Sequence, residues 1–218
     1  MVSRSVYGLV AVVLTLGWLA AAEPAWAGPP TEQLRAQMDR VIKVLDDPEL
    51  KRDGRQVERR AAIRGLATEI FDFEETSRRS LGPHWNARTP AERQQFVKLY
   101  ADLLERSYID KIETYSGERI QFVGEAVERD QATVRTRLVT KAGTEIPVDY
   151  RMHRVGERWL SYDVAIEGVS MVANYRAQFN KIIQTSGYAS LVSKLTEKQE
   201  QGIVADREPS IRKASQAK

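Results

Sequence analysis

Hydrophobic residues recur with helical spacing through the first half of the chain. From Leu34 the apolar positions fall at i, i+4, i+7, i+8 and i+11, which predicts an amphipathic helix that begins near Thr31 and ends before Pro48. A second helix is expected over residues 56–70, and a short third one ends at Gly82-Pro83. The segment Thr89-Pro90-Ala91-Glu92 is a capping box with proline at the first helical position, so a long helix is expected to begin there.

After Gly117 the apolar period changes from 3.6 to 2, which indicates β-strands. Four alternating segments follow, separated by turns near Asp130, Lys141-Ala142-Gly143 and Val155-Gly156-Glu157. Short turns join antiparallel neighbours, so the prediction is a four-stranded antiparallel meander. Helical spacing returns at Val172 and is expected to break at Gly187. The fold class is therefore α+β, with one sheet face covered by the long helix and its neighbours.

Strict alternation would sort the strand residues onto two faces. The apolar face is expected to hold Val134, Leu138, Ile146, Val148, Tyr150, Met152, Leu160, Tyr162, Val164 and Ile166. The opposite face is expected to hold Arg135, Arg137, Asp149, Arg151, His153 and Asp163. Asp163 should then form an exposed or half-exposed ion pair with a cross-strand arginine. Glu167 stands where a strand turns into a helix, so capping or turn closure is its expected role.

The N-terminal residues have the pattern of a secretory signal peptide. Arg4 precedes an apolar run over residues 9–22, and Ala25-Trp26-Ala27 is a small-x-small cleavage site. We therefore predict a signal peptide over residues 1–27, an α+β domain over 28–198 and a charged, frayed tail over 199–218. The predicted location is the periplasm, and the absence of cysteine excludes disulfides and thiolate chemistry.

Motifs that would carry catalysis or metal binding are missing from the sequence. The net charge is +3, but its 33 basic and 30 acidic residues are interspersed, which argues against a nucleic-acid partner. His84 and His153 lie far apart, so no metal ligand pair is formed in sequence. The apolar face offers only Tyr150 and Tyr162 as titratable groups, so we expect no enzyme. The periodicity leaves open whether this face is a solid core or lines a cavity.

The segment YDVAIEGVSMVANYRAQF, residues 162–179, resembles the signature of the MlaC family of periplasmic phospholipid-binding proteins, also called toluene-tolerance auxiliary proteins. The similarity extends to IPVDYRMHR, to TPAERQQFVKLYADLLERSY and to FDFEETSRRSLG, and so covers roughly residues 32–198. It implies a fold related to the nuclear-transport-factor-2-like (NTF2-like) cone with extra helices. It also implies a carrier that takes a phospholipid between an outer-membrane lipoprotein complex and an inner-membrane ABC transporter with an MCE-domain ring.

The resemblance further implies an apolar cavity for acyl chains, with no cofactor besides this cargo. The expected lipid-binding residues are Phe73, Leu99, Leu103, Val148, Tyr150, Met152, Tyr162, Val164, Ile166 and Val169. Gly168 is expected to permit the sharp turn at the cavity mouth. Three alternatives stay open at this point: a carrier of a hopanoid-type lipid, a small periplasmic NTF2-like enzyme and an interaction module with a solid core.

Overall fold

A computed structural model describes residues 28–216, with side chains described through residue 201. The predicted signal peptide over residues 1–27 therefore lies outside the described residues. The helices are α1 Pro29–Asp46, α2 Gln56–Ile70, α3 Phe73–Leu81, α4 Pro90–Glu113 and α5 Met171–Gln216. The strands are β1 Arg119–Glu128, β2 Gln131–Val139, β3 Glu145–Val155, β4 Arg158–Ile166 and β5 Val169–Ser170. The predicted α+β class is confirmed.

Local sequence signals set the helix ends. The capping box of α4 is present, because the Thr89 hydroxyl accepts a hydrogen bond from the Glu92 N–H and the Glu92 carboxylate accepts one from the Thr89 N–H. Gly187 interrupts α5 with a φ of 81°, which glycine adopts without steric penalty, so the predicted break is confirmed. Helix α5 continues to Gln216, and the charged, frayed tail from residue 199 stays a prediction.

Removing the α4 cap should lower stability by a modest amount. In Thr89→Ala the Glu92 N–H loses its acceptor at the helix start, so we expect the free energy of unfolding to fall by about 1 kcal/mol. Urea denaturation followed by circular dichroism measures the difference, and Thr89→Ser, which retains the hydroxyl, is the control. Equal losses in both variants would contradict the capping role.

The sheet is an open antiparallel meander in the order β1-β2-β3-β4-β5. Five strands are present where four were predicted. The additional strand, β5, forms because positive φ angles at Glu167 (51°) and Gly168 (80°) fold the chain back beside β4. Ile166 then pairs with Val169, and Ala165 pairs with Ser170. The turn between Ile166 and Val169 is thus a tight hairpin at one edge of the sheet.

Three apolar clusters hold the described helices and the sheet, and the smallest joins Leu45, Ile63 and Ile109 of α1, α2 and α4. In the α1–sheet cluster, Leu34 of α1 packs with the strand residues Ala132, Val134, Met152 and Trp159. The helical cluster contains residues of α3, α4 and α5 around Phe96 and the 3₁₀ turn Gly82–Trp85, and its described members all come from helical segments. The expectation that the long helix and its neighbours cover the sheet is therefore wrong for α4 itself, which packs mainly on α3 and α5. These two neighbours contact β4, and α1 packs on β1, β2 and β4.

Candidate functional site

Six aliphatic side chains form a row across one face of the sheet, from β1 to β5. The row consists of two cross-strand sets: Ile120, Leu138 and Ile146, and then Val148, Ile166 and Val169. None of the six is buried, and Ile166 and Val169 are 42% and 64% exposed. We call this row the apolar strip. A contiguous apolar surface of this kind on a soluble domain is typical of a site that binds an apolar partner or ligand.

Tyr150 and Val164 extend the apolar strip toward the α1–sheet cluster. They are direct cross-strand neighbours, and both are half-buried. Tyr150 also packs against the buried cluster, and burial raises the pKa of its phenol to about 12. The Tyr150 side chain keeps some accessible surface, but protein surrounds its phenol group, so the side chain lies in a recess. Tyr150 therefore marks the deep end of the strip.

The phenol of Tyr150 should titrate near pH 12 in the folded protein. The folded pKa lies above the unfolded value of 10, so the phenol is neutral in both states below pH 10. Stability then falls as the pH rises from 10 to 12, because only the unfolded chain releases this proton. Absorbance titration at 295 nm measures the ionisation, and Tyr150→Phe should lack a step near pH 12. An unchanged titration curve would show that this phenol is not buried.

A β-bulge changes which face the β4 residues occupy. Arg151 pairs with Asp163, but Met152 pairs with Ser161, so Tyr162 is the extra residue of the bulge. Its ring contacts the Arg79 guanidinium at 3.8 Å and the His153 ring at 5.8 Å, both centroid distances, on the face opposite the strip. The prediction that Tyr162 and Leu160 share the apolar face with Val164 is therefore wrong. Trp159 and Ser161 lie on the face of Met152 instead.

Asp163 is buried rather than exposed, which corrects the second expectation for β4. Its carboxylate is 1% exposed and forms the predicted ion pair with Arg151 at 3.0 Å. It also accepts hydrogen bonds from the Ser170 hydroxyl at 2.6 Å and from the Val172 N–H at 2.9 Å. Alternation predicts the face of Asp163 but not the N-terminus of α5, which covers it. Asp163 and Ser170, not Glu167, cap that helix.

The backbone of Glu167 connects the turn of the hairpin to β3. Its N–H donates to the Pro147 carbonyl at 2.9 Å, and its side chain is exposed. Gly168 has the positive φ expected of a residue that permits the sharp turn. The hairpin therefore holds Ile166 and Val169 side by side at the outer end of the strip.

The remaining candidate residues belong to the α1–sheet cluster or to the helical cluster. Met152 is fully buried under α1, whereas Leu99 and Leu103 belong to the helical cluster. Phe73 also packs on the helical cluster, and its ring lies 6.0 Å from that of Phe71, which packs on the α1–sheet cluster. The structure thus brings Val148, Tyr150, Val164, Ile166 and Val169 together on the sheet. It places Phe73 at the seam between the clusters, and lipid contact by the helical residues stays a prediction.

Three residues of the apolar strip are absent from the predicted lipid-binding set. Leu138 and Ile146 were assigned to the apolar face, and Ile120 alternates with polar neighbours. Their adjacency to Val148 and Ile166 depends on the strand register, which the meander with its short turns could have supplied. The strip carries no carboxylate, imidazole or amine. It can bind hydrocarbon but offers no group for acid–base chemistry.

Other candidate features of the described residues lie away from the strip. Two open surface depressions lie beside α1, one along α2 and the other near Arg158, and are lined by residues such as Arg40 and Glu69. None of the ten predicted lipid-binding residues lines either depression. Within residues 28–216, no group of three metal-ligating side chains occurs and no helix is long and apolar enough to span a bilayer.

Comparison with known proteins gives matches of sequence and of fold. The sequence model of the MlaC protein family matches residues 35–197 of this chain. The intermembrane phospholipid transport system binding protein MlaC of Haemophilus influenzae is 23% identical over 150 residues, which cover 66% of this chain and 70% of that protein. A phospholipid-binding protein from Ralstonia solanacearum, solved in complex with a phospholipid, matches with a TM-score of 0.71 and 24% identity over 79% of this chain and 97% of that one.

Proposed function

Because this chain belongs to the MlaC family, we propose that it is a phospholipid carrier that lays the acyl chains of its cargo along the apolar strip. The observation that carries the proposal is the strip itself. Eight adjacent side chains of the sheet, including Tyr150 and Val164, are apolar or desolvated, and none of the eight is fully buried. A domain with no ligand to bind would pack such a surface against its own helices.

The energetics of lipid transfer favour a carrier of this design. A two-chain phospholipid has on the order of 30 methylenes, and each costs roughly 0.8 kcal/mol to expose to water. Crossing an aqueous compartment unassisted would thus meet a gross barrier on the order of 20 kcal/mol. An apolar surface that accepts the chains removes most of this barrier without any catalytic group. Acyl chains differ little along their length, so the surface needs size and dryness rather than hydrogen-bond donors.

We place this carrier in the periplasm, between two membrane complexes. The supporting observations are the N-terminal signal pattern and the name of the Haemophilus influenzae relative, an intermembrane transport protein. The proposed partners are an outer-membrane lipoprotein complex and an inner-membrane ABC transporter with an MCE-domain ring. Because the strip holds no acid or base, we assign the chain no enzymatic activity. Its only bound small molecule in this proposal is the phospholipid cargo.

Removal of the lipid and its replacement from vesicles tests the carrier function. Mature protein is unfolded in denaturant to strip lipid, refolded and mixed with vesicles of phosphatidylethanolamine and phosphatidylglycerol. After re-isolation we expect about one organic phosphate per chain and a higher melting temperature than that of the stripped protein, because a ligand that binds only the native state stabilises it. Stripped protein that takes up no phosphate from vesicles, although folded, would contradict the proposal.

A further inference from the structure

The carboxylate of Asp163 joins four segments of the chain at one point. It accepts hydrogen bonds from Arg151 of β3, from the Ser170 hydroxyl of β5 and from the Val172 N–H at the start of α5. These donors lie at 3.0, 2.6 and 2.9 Å, and Asp163 itself is 1% exposed. A buried charge persists only when its neighbours satisfy it, and here a cation, a hydroxyl and a helix N-terminus do so.

The same hydrogen bonds connect the segments before and after the hairpin that forms the outer end of the strip. Asp163 stands before the hairpin in β4, whereas Ser170 and Val172 follow it. Only two backbone pairs, Ala165 with Ser170 and Ile166 with Val169, hold β5 to β4. Such a short strand is marginal without further support. The carboxylate supplies that support from the face opposite the strip, so it does not need to touch the cargo.

Ser170 strengthens the link between the hairpin and α5. Its hydroxyl donates to Asp163 and accepts from the Ala173 N–H at 3.0 Å, which makes Ser170 the N-cap of the helix. The Asp163 carboxylate accepts a hydrogen bond from the N–H of Val172, the residue before Ala173. Two side chains therefore fix where α5 begins, and Val169 immediately precedes one of them, Ser170.

We infer that Asp163 is a positioning residue for lipid retention, which holds Ile166 and Val169 over the acyl chains by locking β5 and the start of α5 to the sheet. This inference rests on the proposed carrier function. A single buried carboxylate thus fixes the position of the outer end of the strip. Loss of the negative charge frees the hairpin, exposes the chains at that end and speeds the release of lipid.

The test compares Asp163→Asn with a matched control. Glu113→Gln also removes a largely buried carboxylate held by arginines, Arg59 and Arg60, but between α2 and α4. Because the chain lacks cysteine, Glu167→Cys in the parent, in Asp163→Asn and in Glu113→Gln places a single spin label on the hairpin. We measure the mobility of the label and the rate of phospholipid transfer to phosphatidylglycerol vesicles. Circular dichroism verifies that the variants are folded to the same extent as the parent.

We expect Asp163→Asn to release lipid about tenfold faster than the parent and to raise label mobility, since it loses a bond to a charged group. Glu113→Gln should change both quantities less than twofold, whatever its melting temperature. Ser170→Ala, a milder variant in case Asp163→Asn does not fold, should release lipid about threefold faster. Parent-like release from Asp163→Asn, or equal acceleration by Glu113→Gln, would overturn the inference. A parent protein that binds no lipid would refute the carrier function instead. The difference in label mobility between the parent and Asp163→Asn would still test whether Asp163 holds the hairpin.

Discussion

Replacing Val148 with glutamate is expected to abolish phospholipid binding in a chain that stays folded. Val148 lies in the middle of the apolar strip, between Thr136 and Ile166 on the neighbouring strands, and is half-buried. In the lipid-free protein the new carboxylate can reach water. With acyl chains in place it would be desolvated without a partner, which costs several kcal/mol. Since every 1.4 kcal/mol is about tenfold in affinity, the affinity for phospholipid should fall by at least about 100-fold.

The matched control for this variant is Val57→Glu. Val57 is 74% exposed on α2, so the same substitution adds the same charge away from the strip. Bound phospholipid is quantified as organic phosphate per chain after purification, and circular dichroism verifies the fold. Normal phosphate in Val148→Glu, or equal losses in both variants, would show that the strip is not the lipid site.

Truncating Phe96 to alanine is expected to destabilise the protein by about 3–5 kcal/mol. Phe96 has no exposed surface, stacks on Tyr100 at a centroid distance of 5.7 Å and meets Phe179 edge-on at 5.6 Å. Its removal leaves a cavity at the centre of the helical cluster. Urea denaturation measures the loss, and Ile112→Ala on the same helix, at a side chain that is 37% exposed, should cost under about 1 kcal/mol.

The same variant separates the helical cluster from the lipid site. The described members of this cluster come from helical segments and none from the sheet, so a folded Phe96→Ala protein should keep its phospholipid. Loss of lipid at temperatures where the variant is fully folded would place the cluster in contact with the acyl chains. That result would support the sequence-based prediction that Leu99 and Leu103 contact the acyl chains.

Features that depend on neighbours in sequence could be predicted from the sequence. The capping box at Thr89, the helix break at Gly187 and the change from period 3.6 to period 2 each depend on a few consecutive residues. The family prediction also depended on contiguous motifs, and the match over residues 35–197 confirms it. These signals fix element type and order, which is why the α+β meander was correct apart from the two-residue β5.

Features that depend on packing between distant segments could not be predicted in this way. The β-bulge at Tyr162 shifts the alternation in β4, and nothing in a strictly alternating segment marks the extra residue. The burial of Asp163 requires the start of α5 to return over β4. The choice of α1 rather than α4 as the cover of the sheet likewise depends on tertiary packing. Helical periodicity identifies an apolar face but not the surface on which it packs.

Native mass spectrometry of the purified mature protein, with lipid analysis of the organic extract, tests the central claim most directly. We predict a mass excess equal to one diacyl phospholipid per chain, retained in Val57→Glu and lost in Val148→Glu. A hopanoid in the extract would keep the carrier function but change its cargo. Protein that carries no lipid, and acquires none from phospholipid vesicles, would contradict the account and leave the apolar strip as a surface for another protein.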